Sequence, residues 1–161
     1  MVYILMGVSG SGKTTIGKMV AKYLNIRFFD ADNFHSQSSI LKIKNGKVLT
    51  DSDRIPWLTL LNKKICERSI NSSCILSCSS LKGSYRKILS KNINVFFIFL
   101  DGNYELIYQR LLNRKNHFFA NELLINQFQI LEKPNNCPII SVDQTVEEVC
   151  QEILDVIHYF L

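Results

Sequence analysis

Short apolar segments alternate along the chain with longer segments whose apolar residues recur every three or four positions. The apolar segments span 2–6, 26–30, 73–78, 94–102 and 138–142. After the first of them, apolar residues at 16, 20 and 24 fall on one face of a helix. Buried parallel strands are near-continuous apolar runs, because helices cover both faces of such a sheet. The pattern therefore predicts an α/β fold with a parallel sheet between two layers of helices.

Residues that start and stop helices divide the rest of the chain. Thr50 or the residue after it is the predicted N-cap of a helix, and Gly83 marks the start of another. The last amphipathic helix is predicted over about 145–160. The polar and aromatic segment 114–122, between two predicted helices, is predicted to be a mobile lid.

Length and composition indicate one folded domain. The chain has 161 residues, so a single domain is predicted over 1–161. Apolar residues make up 47% and charged residues 20%, which are ordinary proportions for a globular protein. The longest unbroken apolar run, 95–100, is too short to cross the roughly 30 Å hydrocarbon core of a bilayer. Because no secretory-signal pattern is present either, a cytoplasmic protein without membrane contact is expected.

Cysteine usage and net charge narrow the classes of site and partner. The five cysteines include no Cys-x-x-Cys pair, which disfavours a disulfide framework and a structural zinc site and favours reduced thiols. The net charge of +5 suits an anionic partner. Because no basic run or basic-aromatic repeat is present, no nucleic-acid partner is expected, and a small phosphorylated ligand accounts for the charge.

The segment between the first predicted strand and the first predicted helix has the form of a phosphate-binding loop. Residues 7–14 fit the pattern G-x-x-x-x-G-K-[ST]. Glycines let backbone N–H groups curl around phosphate oxygens, and the following helix adds its positive N-terminal end. Lys13 is expected to reach the β- and γ-phosphates of ATP, and Thr14 to offer its hydroxyl to Mg²⁺. The predicted ATP-binding residues of the loop are Gly7, Val8, Ser9, Gly10, Ser11, Gly12, Lys13, Thr14 and Thr15.

Three classes of protein use such a loop: switch GTPases, mechanical or nucleic-acid ATPases, and small-molecule kinases. The segment 62–65 begins with Asn-Lys but lacks the aspartate of a guanine-binding Asn-Lys-x-Asp motif, and the sequence contains no Asp-x-x-Gly. The third apolar segment carries no carboxylate at its end, where mechanical ATPases usually place an acidic metal ligand. These differences favour a kinase that acts on a small acceptor.

Charged residues at two places suit such a kinase. Asp30 and Asp32 follow the second predicted strand, where a carboxylate can hold Mg²⁺ through water or accept the proton of an attacking hydroxyl. Arg110 and Arg114 are four positions apart, so on a helix both project to one side. There they are expected to meet the charge of the transferring phosphoryl group.

Four longer motifs follow the loop in order. They are Asp-x-Asp-x-x-His from residue 30, Leu-x-Asp-x-Asp-Arg-x-x-Trp-Leu from 49, Cys-Ser-x-Leu-Lys-x-x-Tyr-Arg from 78 and Arg-x-x-x-Arg-x-x-His-Phe from 110. With these motifs the chain resembles, nearly end to end, the small bacterial-type gluconokinases, which are similar in fold to shikimate and nucleoside monophosphate kinases. The resemblance implies a three-layer P-loop kinase fold with a five-stranded parallel sheet and a helical lid. It also implies phosphorylation of D-gluconate to 6-phospho-D-gluconate by ATP with Mg²⁺, in a protein that is commonly a homodimer.

The same resemblance assigns roles to individual residues. Asp32 is expected to face the attacking hydroxyl and Asp30 the hydrated Mg²⁺, which makes Thr14 and Asp30 the predicted metal ligands. Arg54 is expected to bind an acceptor carboxylate or phosphate with two parallel hydrogen bonds, a geometry that lysine cannot copy. The predicted catalytic residues are Lys13, Asp32 and Arg114, and the predicted substrate-binding residues are Asp32, His35, Arg54, Lys82, Arg86 and His117. Arg110 completes the predicted ATP-binding set, with adenine expected near Arg110 and Asp143, whereas Trp57, Gln127 and Phe128 are interpreted as framework.

Four positions depart from the usual gluconokinase pattern. Ala31, Ser39, Ser80 and Lys87 stand where glycine, asparagine, alanine and aspartate are usual. Ala31 is expected to strain its turn by about 1 kcal/mol if the position needs a positive φ. None of the four removes a predicted phosphate or metal ligand, so an active kinase is expected. A kinase of another small hydroxylated acceptor (another aldonate, shikimate or a nucleotide) and a nucleotide-binding regulator without catalysis remain the alternatives.

Overall fold

The computed structural model describes residues 1–70, 72–113 and 121–160 of the chain. Its strands are β1 Val2–Met6, β2 Arg27–Asp30, β3 Cys74–Ser77, β4 Val95–Asp101 and β5 Ile139–Ser141. Its helices are α1 Lys13–Tyr23, α2 Gln37–Lys44, α3 Asp51–Arg68, α4 Gly83–Leu89, α5 Tyr104–Leu112, α6 Asn121–Ile130 and α7 Val146–Phe160. A single 3₁₀ turn, Ala31–Phe34, follows β2.

The five strands form one parallel sheet in the order β2-β3-β1-β4-β5. β1 is central, and its Val2 lies opposite Cys74 of β3 on one side and Val95 of β4 on the other. Because all strands run in the same direction, the loops that follow β1, β2 and β3 leave the sheet at the same edge. A crevice for ligands forms at this edge in open α/β sheets.

Alternating side chains of β1 supply two separate apolar layers. Tyr3 and Leu5 belong to the layer that packs against α1 and α7, which contribute residues such as Val20 and Ile153. Val2 and Ile4 belong to the opposite layer, which packs against α3 and α4. This division follows from the two-residue period of a strand, which sends successive side chains to opposite faces. Helices therefore cover both faces of the sheet, as the sequence predicts.

The segment between β2 and α3 contains two elements that the apolar pattern did not predict. The 3₁₀ turn comes first, and then Ser36 caps α2 by accepting a hydrogen bond from the Ser39 N–H. Helix α2 is short, and Ser39 is its only buried residue. A helix with so small a buried face carries a weak periodic signal, which explains why the pattern alone did not predict it. The predicted cap of α3 is confirmed, since Thr50 forms a capping box with Asp53.

The predicted lid lies mostly outside the described residues. Of segment 114–122, the described part is Asn121 and Glu122, which begin α6. Within the described ranges, no helix has both the length and the apolar character needed to cross a membrane. All five cysteines are free thiols, as expected.

Leu58 is expected to be essential for the packing of α3 on the sheet. Its side chain is 0% exposed in the apolar layer between the sheet and helices α3 and α4. Leu58→Ala should lower the free energy of unfolding by about 3 kcal/mol, through lost burial and a residual cavity. Leu60→Ala in the same helix is the matched control, since Leu60 is 40% exposed and its truncation should cost less than about 1 kcal/mol. Urea unfolding measures both, and equal losses would contradict this packing.

Candidate active site

The loop after β1 is held in a conformation that requires glycine. Gly7, Gly10 and Gly12 have φ values of 148°, 86° and 92°. A Cβ on Gly7 would lie 2.7 Å from the carbonyl oxygen of Leu100, the penultimate residue of β4. The Gly7 N–H donates to the Ser79 carbonyl at 3.2 Å, which ties the loop to the end of β3 as well. The loop is thus fixed between the ends of the two strands that flank β1.

Helix α1 begins in this loop without a side-chain cap. Gly12 precedes the helix, no side chain caps its first turn, and the first turn contains no acidic residue. The Lys13 ammonium donates to the carbonyls of Gly7 and Val8 at 3.0 and 2.8 Å, so it folds back over the loop. The positive end of the helix dipole and a lysine converge here, an arrangement that favours phosphate.

Two oxygen-bearing residues meet beside the start of α1. The Thr14 hydroxyl donates to one carboxylate oxygen of Asp30 at 2.7 Å, and the other oxygen accepts the Asp32 N–H at 3.0 Å. A hydroxyl next to a carboxylate is a donor set that suits Mg²⁺, a cation that keeps several waters and takes further oxygens from phosphate. The described residues contain no group of three or more His, Cys, Asp or Glu that would form an all-protein metal cage. Thr14 and Asp30 therefore fit a metal that is bound mainly through nucleotide and water.

A cavity of about 390 Å³ opens next to these residues. The phosphate-binding loop lines one side, α2 and the residues after it line another, and α6 lines a third. Its described lining carries four basic side chains, from Lys13, Lys44, Lys47 and Arg54, and a single carboxylate, from Asp32. The Asp32 side chain is 85% exposed and so is accessible to a ligand. The cavity thus favours an anionic ligand and presents one carboxylate to it.

His35 also lines this cavity. Its side chain is 8% exposed and stacks on the Trp57 indole, with ring centroids 4.2 Å apart. Trp57 is itself anchored, because its Nε1–H donates to the Ala31 carbonyl at 3.0 Å. Burial lowers the pKa of His35, the charge of Arg54 lowers it further, and Asp32 acts in the opposite direction. The buried Nδ1 has no hydrogen-bond partner among the described residues.

Arg54 reaches the cavity from the first turns of α3. The residue is 9% exposed, and its Nε–H donates to the Leu49 carbonyl at 3.2 Å. A surface ion pair between Arg54 and Asp51 is not formed in the described structure, because Asp51 bonds instead to Lys82 and to the Tyr85 hydroxyl. These two bonds hold the pKa of Asp51 below its ordinary value of 3.8. The Arg54 guanidinium is therefore a cavity residue rather than a surface charge.

Lys82 and Arg86, two predicted acceptor-binding residues, do not line this cavity. The Lys82 ammonium lies 2.8 Å from an Asp51 carboxylate oxygen and joins the start of α4 to the start of α3. Arg86 donates to the carbonyls of Ser80 and Leu81, the residues that lead into α4. Lys82 thus links α4 to α3, whereas Arg86 bonds to the segment between β3 and α4. The role of both residues toward an acceptor stays a prediction.

The remaining predicted residues lie away from the cavity or outside the described ranges. Arg110 donates to the Val142 carbonyl and so joins α5 to the segment after β5, next to Asp143. It is not part of the described cavity lining. Arg114 and His117 fall in 114–120, outside the described residues.

Lys44, Lys47 and Gln127 are among the cavity residues that were not predicted as site residues. Lys44 and Lys47 line the cavity from the end of α2 and the turn that follows, and no motif in the sequence marks them. Gln127 of α6, interpreted as framework, bonds twice to Ser9 of the phosphate-binding loop. One feature of the sequence could have indicated this role of Gln127. It lies three residues after Leu124, which is buried, so its polar side chain lies next to the inner face of α6.

The structure also shows where the four residues that depart from the usual gluconokinase pattern lie. Ala31 is buried at the start of the 3₁₀ turn and does not have a positive φ, so the conditional strain does not arise there. Ser80 does have a positive φ, of 47°, just after the loop segment that contacts Gly7. Ser39 is buried in α2, and Lys87 lies in α4.

Comparison with known proteins places this geometry in a family. The family model described as shikimate kinase matches residues 9–158. A "Probable gluconokinase" from Dictyostelium discoideum is 41% identical, over 96% of this chain and 85% of the relative. The thermoresistant gluconokinase of Escherichia coli K12 is 38% identical, over 97% of this chain and 93% of that protein. The chain belongs to the gluconokinase family.

A solved structure supports the same assignment. The crystal structure of a gluconokinase from Sinorhizobium meliloti 1021 matches this chain with a TM-score of 0.87 and 33% identity, over 96% of this chain and 89% of that one. The predicted family and the predicted P-loop kinase fold are therefore confirmed. As a member of a kinase family, this gluconokinase-family protein uses ATP.

The free energy of unfolding of the protein should depend on pH through His35. The pKa of His35 is lower in the folded protein than its ordinary value of 6.5, so the unfolded chain binds this proton more readily. The free energy of unfolding should consequently decrease as the pH falls below 6.5, and His35→Gln should flatten that decrease. Urea unfolding between pH 5 and 8 measures this difference, with His158→Gln, which removes an exposed histidine, as the matched control. Equal pH dependence in wild type and His35→Gln would contradict the assignment.

Proposed function

We propose that this protein transfers the γ-phosphoryl group of ATP to the 6-hydroxyl of D-gluconate, forming 6-phospho-D-gluconate and ADP. One observation supports this most directly: the single carboxylate of the described cavity lining, from Asp32, faces a basic cavity that begins at the phosphate-binding loop. The names of the full-length relatives support the same acceptor.

The phosphate end of the site is provided by the glycine loop and the start of α1. Backbone N–H groups and Lys13 bind the β- and γ-phosphates, and their charge stabilises the negative charge that develops as the phosphoryl group moves. Bound Mg²⁺ would add charge neutralisation between the β- and γ-phosphates, with Thr14 as its hydroxyl ligand and Asp30 as the carboxylate that holds it through water.

The acceptor end of the site is provided by the 3₁₀ turn, α2 and α3. Asp32 accepts a hydrogen bond from the 6-hydroxyl and orients it toward the γ-phosphorus. As the new oxygen–phosphorus bond forms and the bond to the leaving oxygen of ADP breaks, the hydroxyl proton passes to Asp32. Positioning accounts for most of this effect, since an ionised carboxylate is a weak base.

The carboxylate of the sugar acid needs a basic partner within reach of the same cavity. Arg54 is that partner in this proposal, with Lys44 and Lys47 adding positive charge at the α2 side. His35, which lines the cavity, keeps its predicted role of lining the acceptor pocket. Arg114 and His117 keep their predicted roles toward the phosphoryl group and the acceptor, Arg110 its predicted role toward ATP, and Lys82 and Arg86 theirs toward the acceptor.

The single domain over 1–161, the cytoplasmic location, the homodimer and the absence of a nucleic-acid partner stay predictions. The alternatives named from the sequence also differ experimentally. A kinase of another acceptor would turn over shikimate, a nucleoside monophosphate or a different aldonate, whereas a regulator would bind ATP without consuming it.

Turnover with gluconate should depend on both ends of the site. ADP release is measured with Mg²⁺ and ATP across gluconate, other aldonates, shikimate and nucleoside monophosphates. Lys13→Ala and Asp32→Asn should each lower kcat with gluconate by about 100-fold or more, because they remove phosphate charge stabilisation and hydroxyl positioning. Preferred turnover of another acceptor, or ATP binding without transfer, would replace this proposal with the matching alternative.

Arg54 should determine affinity for the acid group of the acceptor. Arg54→Lys keeps the charge but loses the two parallel N–H donors, so KM for gluconate should rise about tenfold with a smaller change in KM for ATP. Arg68→Lys is the matched control at the other end of α3, where Arg68 stacks over Phe29 away from the cavity. A KM for gluconate that is unchanged in Arg54→Lys would exclude Arg54 from acceptor binding.

A further inference from the structure

Gln127 and Ser9 are joined by two hydrogen bonds that link α6 to the phosphate-binding loop. The Ser9 backbone N–H donates to the Gln127 Oε1 at 2.6 Å, and the Gln127 Nε2–H donates to the Ser9 hydroxyl oxygen at 2.9 Å. The two residues are 118 positions apart in the sequence. One side-chain amide therefore holds both a backbone group and a side-chain group of the same loop residue.

The first bond fixes which way the amide of Gln127 is turned. A backbone N–H can only donate, so the atom that faces it must be the amide oxygen. The amide nitrogen then necessarily faces the Ser9 hydroxyl, and because this nitrogen can only donate, the Ser9 oxygen must accept. The orientation follows from the chemistry of the partners rather than from a choice between two equivalent placements.

The same logic determines where the Ser9 hydroxyl hydrogen can go. The Ser9 hydroxyl has one hydrogen to donate. Gln127 does not accept it at this contact, because the group that faces the Ser9 oxygen is the amide nitrogen, which is a donor. Both residues line the cavity. The hydrogen is thus left to point toward a ligand in that cavity.

The position of Lys13 indicates which part of the nucleotide this hydrogen meets. The Lys13 ammonium, whose expected partners are the β- and γ-phosphates, lies 2.8 Å from the carbonyl oxygen of Val8, the residue bonded to Ser9. Ser9 therefore directly follows a residue whose carbonyl oxygen holds the lysine ammonium. A donor there is expected to reach the phosphates that the lysine binds, of which the γ-phosphate is the one transferred.

We propose that the Ser9 hydroxyl donates a hydrogen bond to the γ-phosphoryl group, and that Gln127 is the positioning residue that directs it there. This inference rests on the proposed kinase function, to which it adds one donor for the transferring group and one residue that acts through it. Donors aimed at charge that develops in the transition state lower the barrier most when they are already oriented.

The first test separates the γ-phosphate from the rest of the nucleotide. Ser9→Ala keeps the backbone bond to Gln127 and removes only the hydroxyl. It should weaken binding of a β,γ-imido analogue of ATP about tenfold and binding of ADP less than twofold, measured by calorimetry with Mg²⁺. Equal effects on the two nucleotides, or none on either, would overturn the proposal. This readout does not involve the acceptor, so a wild-type protein that binds the analogue but fails to phosphorylate gluconate contradicts only the proposed function.

The second test addresses Gln127 through a double-mutant cycle on kcat. Gln127→Glu is nearly isosteric and still accepts the Ser9 N–H, but its carboxylate also accepts the Ser9 hydroxyl hydrogen and withdraws it from the phosphate. In the presence of Ser9 the change should lower kcat about tenfold, and in the Ser9→Ala background less than about threefold. The cycle subtracts any repulsion between the new charge and the nucleotide, because that repulsion is present in both backgrounds.

Gln129→Glu provides the matched control, since it makes the same chemical change at an exposed position of α6. It should leave kcat and nucleotide binding unchanged. Equal losses from Gln127→Glu in the two backgrounds would mean that Gln127 does not act through the Ser9 hydroxyl and would overturn its positioning role.

Discussion

The close approach of Gly7 to the carbonyl of Leu100 is the constraint on which the site depends. A Cβ at this position would lie 2.7 Å from that oxygen, so any side chain would lift the loop away from the end of β4. Because the loop stays close to the end of β4, α1 can begin directly after Gly12. The phosphate-binding geometry is therefore built into the central strand and its neighbours before a nucleotide arrives, which is the condition for strong electrostatic stabilisation.

Basic side chains outnumber carboxylates in the described lining of the cavity next to the phosphate-binding loop. Four basic side chains and one carboxylate reach the cavity from the described residues, whereas Asp30 bonds to the Thr14 hydroxyl and the Asp32 backbone. An anionic acceptor and an anionic nucleotide can share such a space only if their charges are matched by the protein and by a cation. Asp30 and Asp32 are two residues apart but differ in environment, because Asp30 is engaged in hydrogen bonds whereas the Asp32 side chain is 85% exposed.

The proposed acceptor side of the cavity is supported mainly by α3, a long helix packed on the sheet. Trp57 carries His35 on its indole face and anchors the Ala31 carbonyl, while Arg54 extends from the preceding turn of the same helix. The first turn of α3 is in turn connected to α4 through Asp51, Lys82 and Tyr85. Side chains that bind a small ligand benefit from such rigid support, because a site on a packed helix keeps its geometry better than one on a loop.

The sequence by itself determined the α/β class, the places of the five strands, the phosphate-binding loop and, through its ordered motifs, the family. These features depend on local rules: the period of apolar residues, the need for glycine where backbone must approach phosphate, and short motifs of fixed spacing. Only the tertiary structure decided which distant side chains share the cavity. It brought Lys44, Lys47 and Gln127 into it, gave Lys82 and Arg86 bonds elsewhere, and supplied α2. Such contacts join residues that are far apart in the chain, and no local period or motif encodes the distance between them.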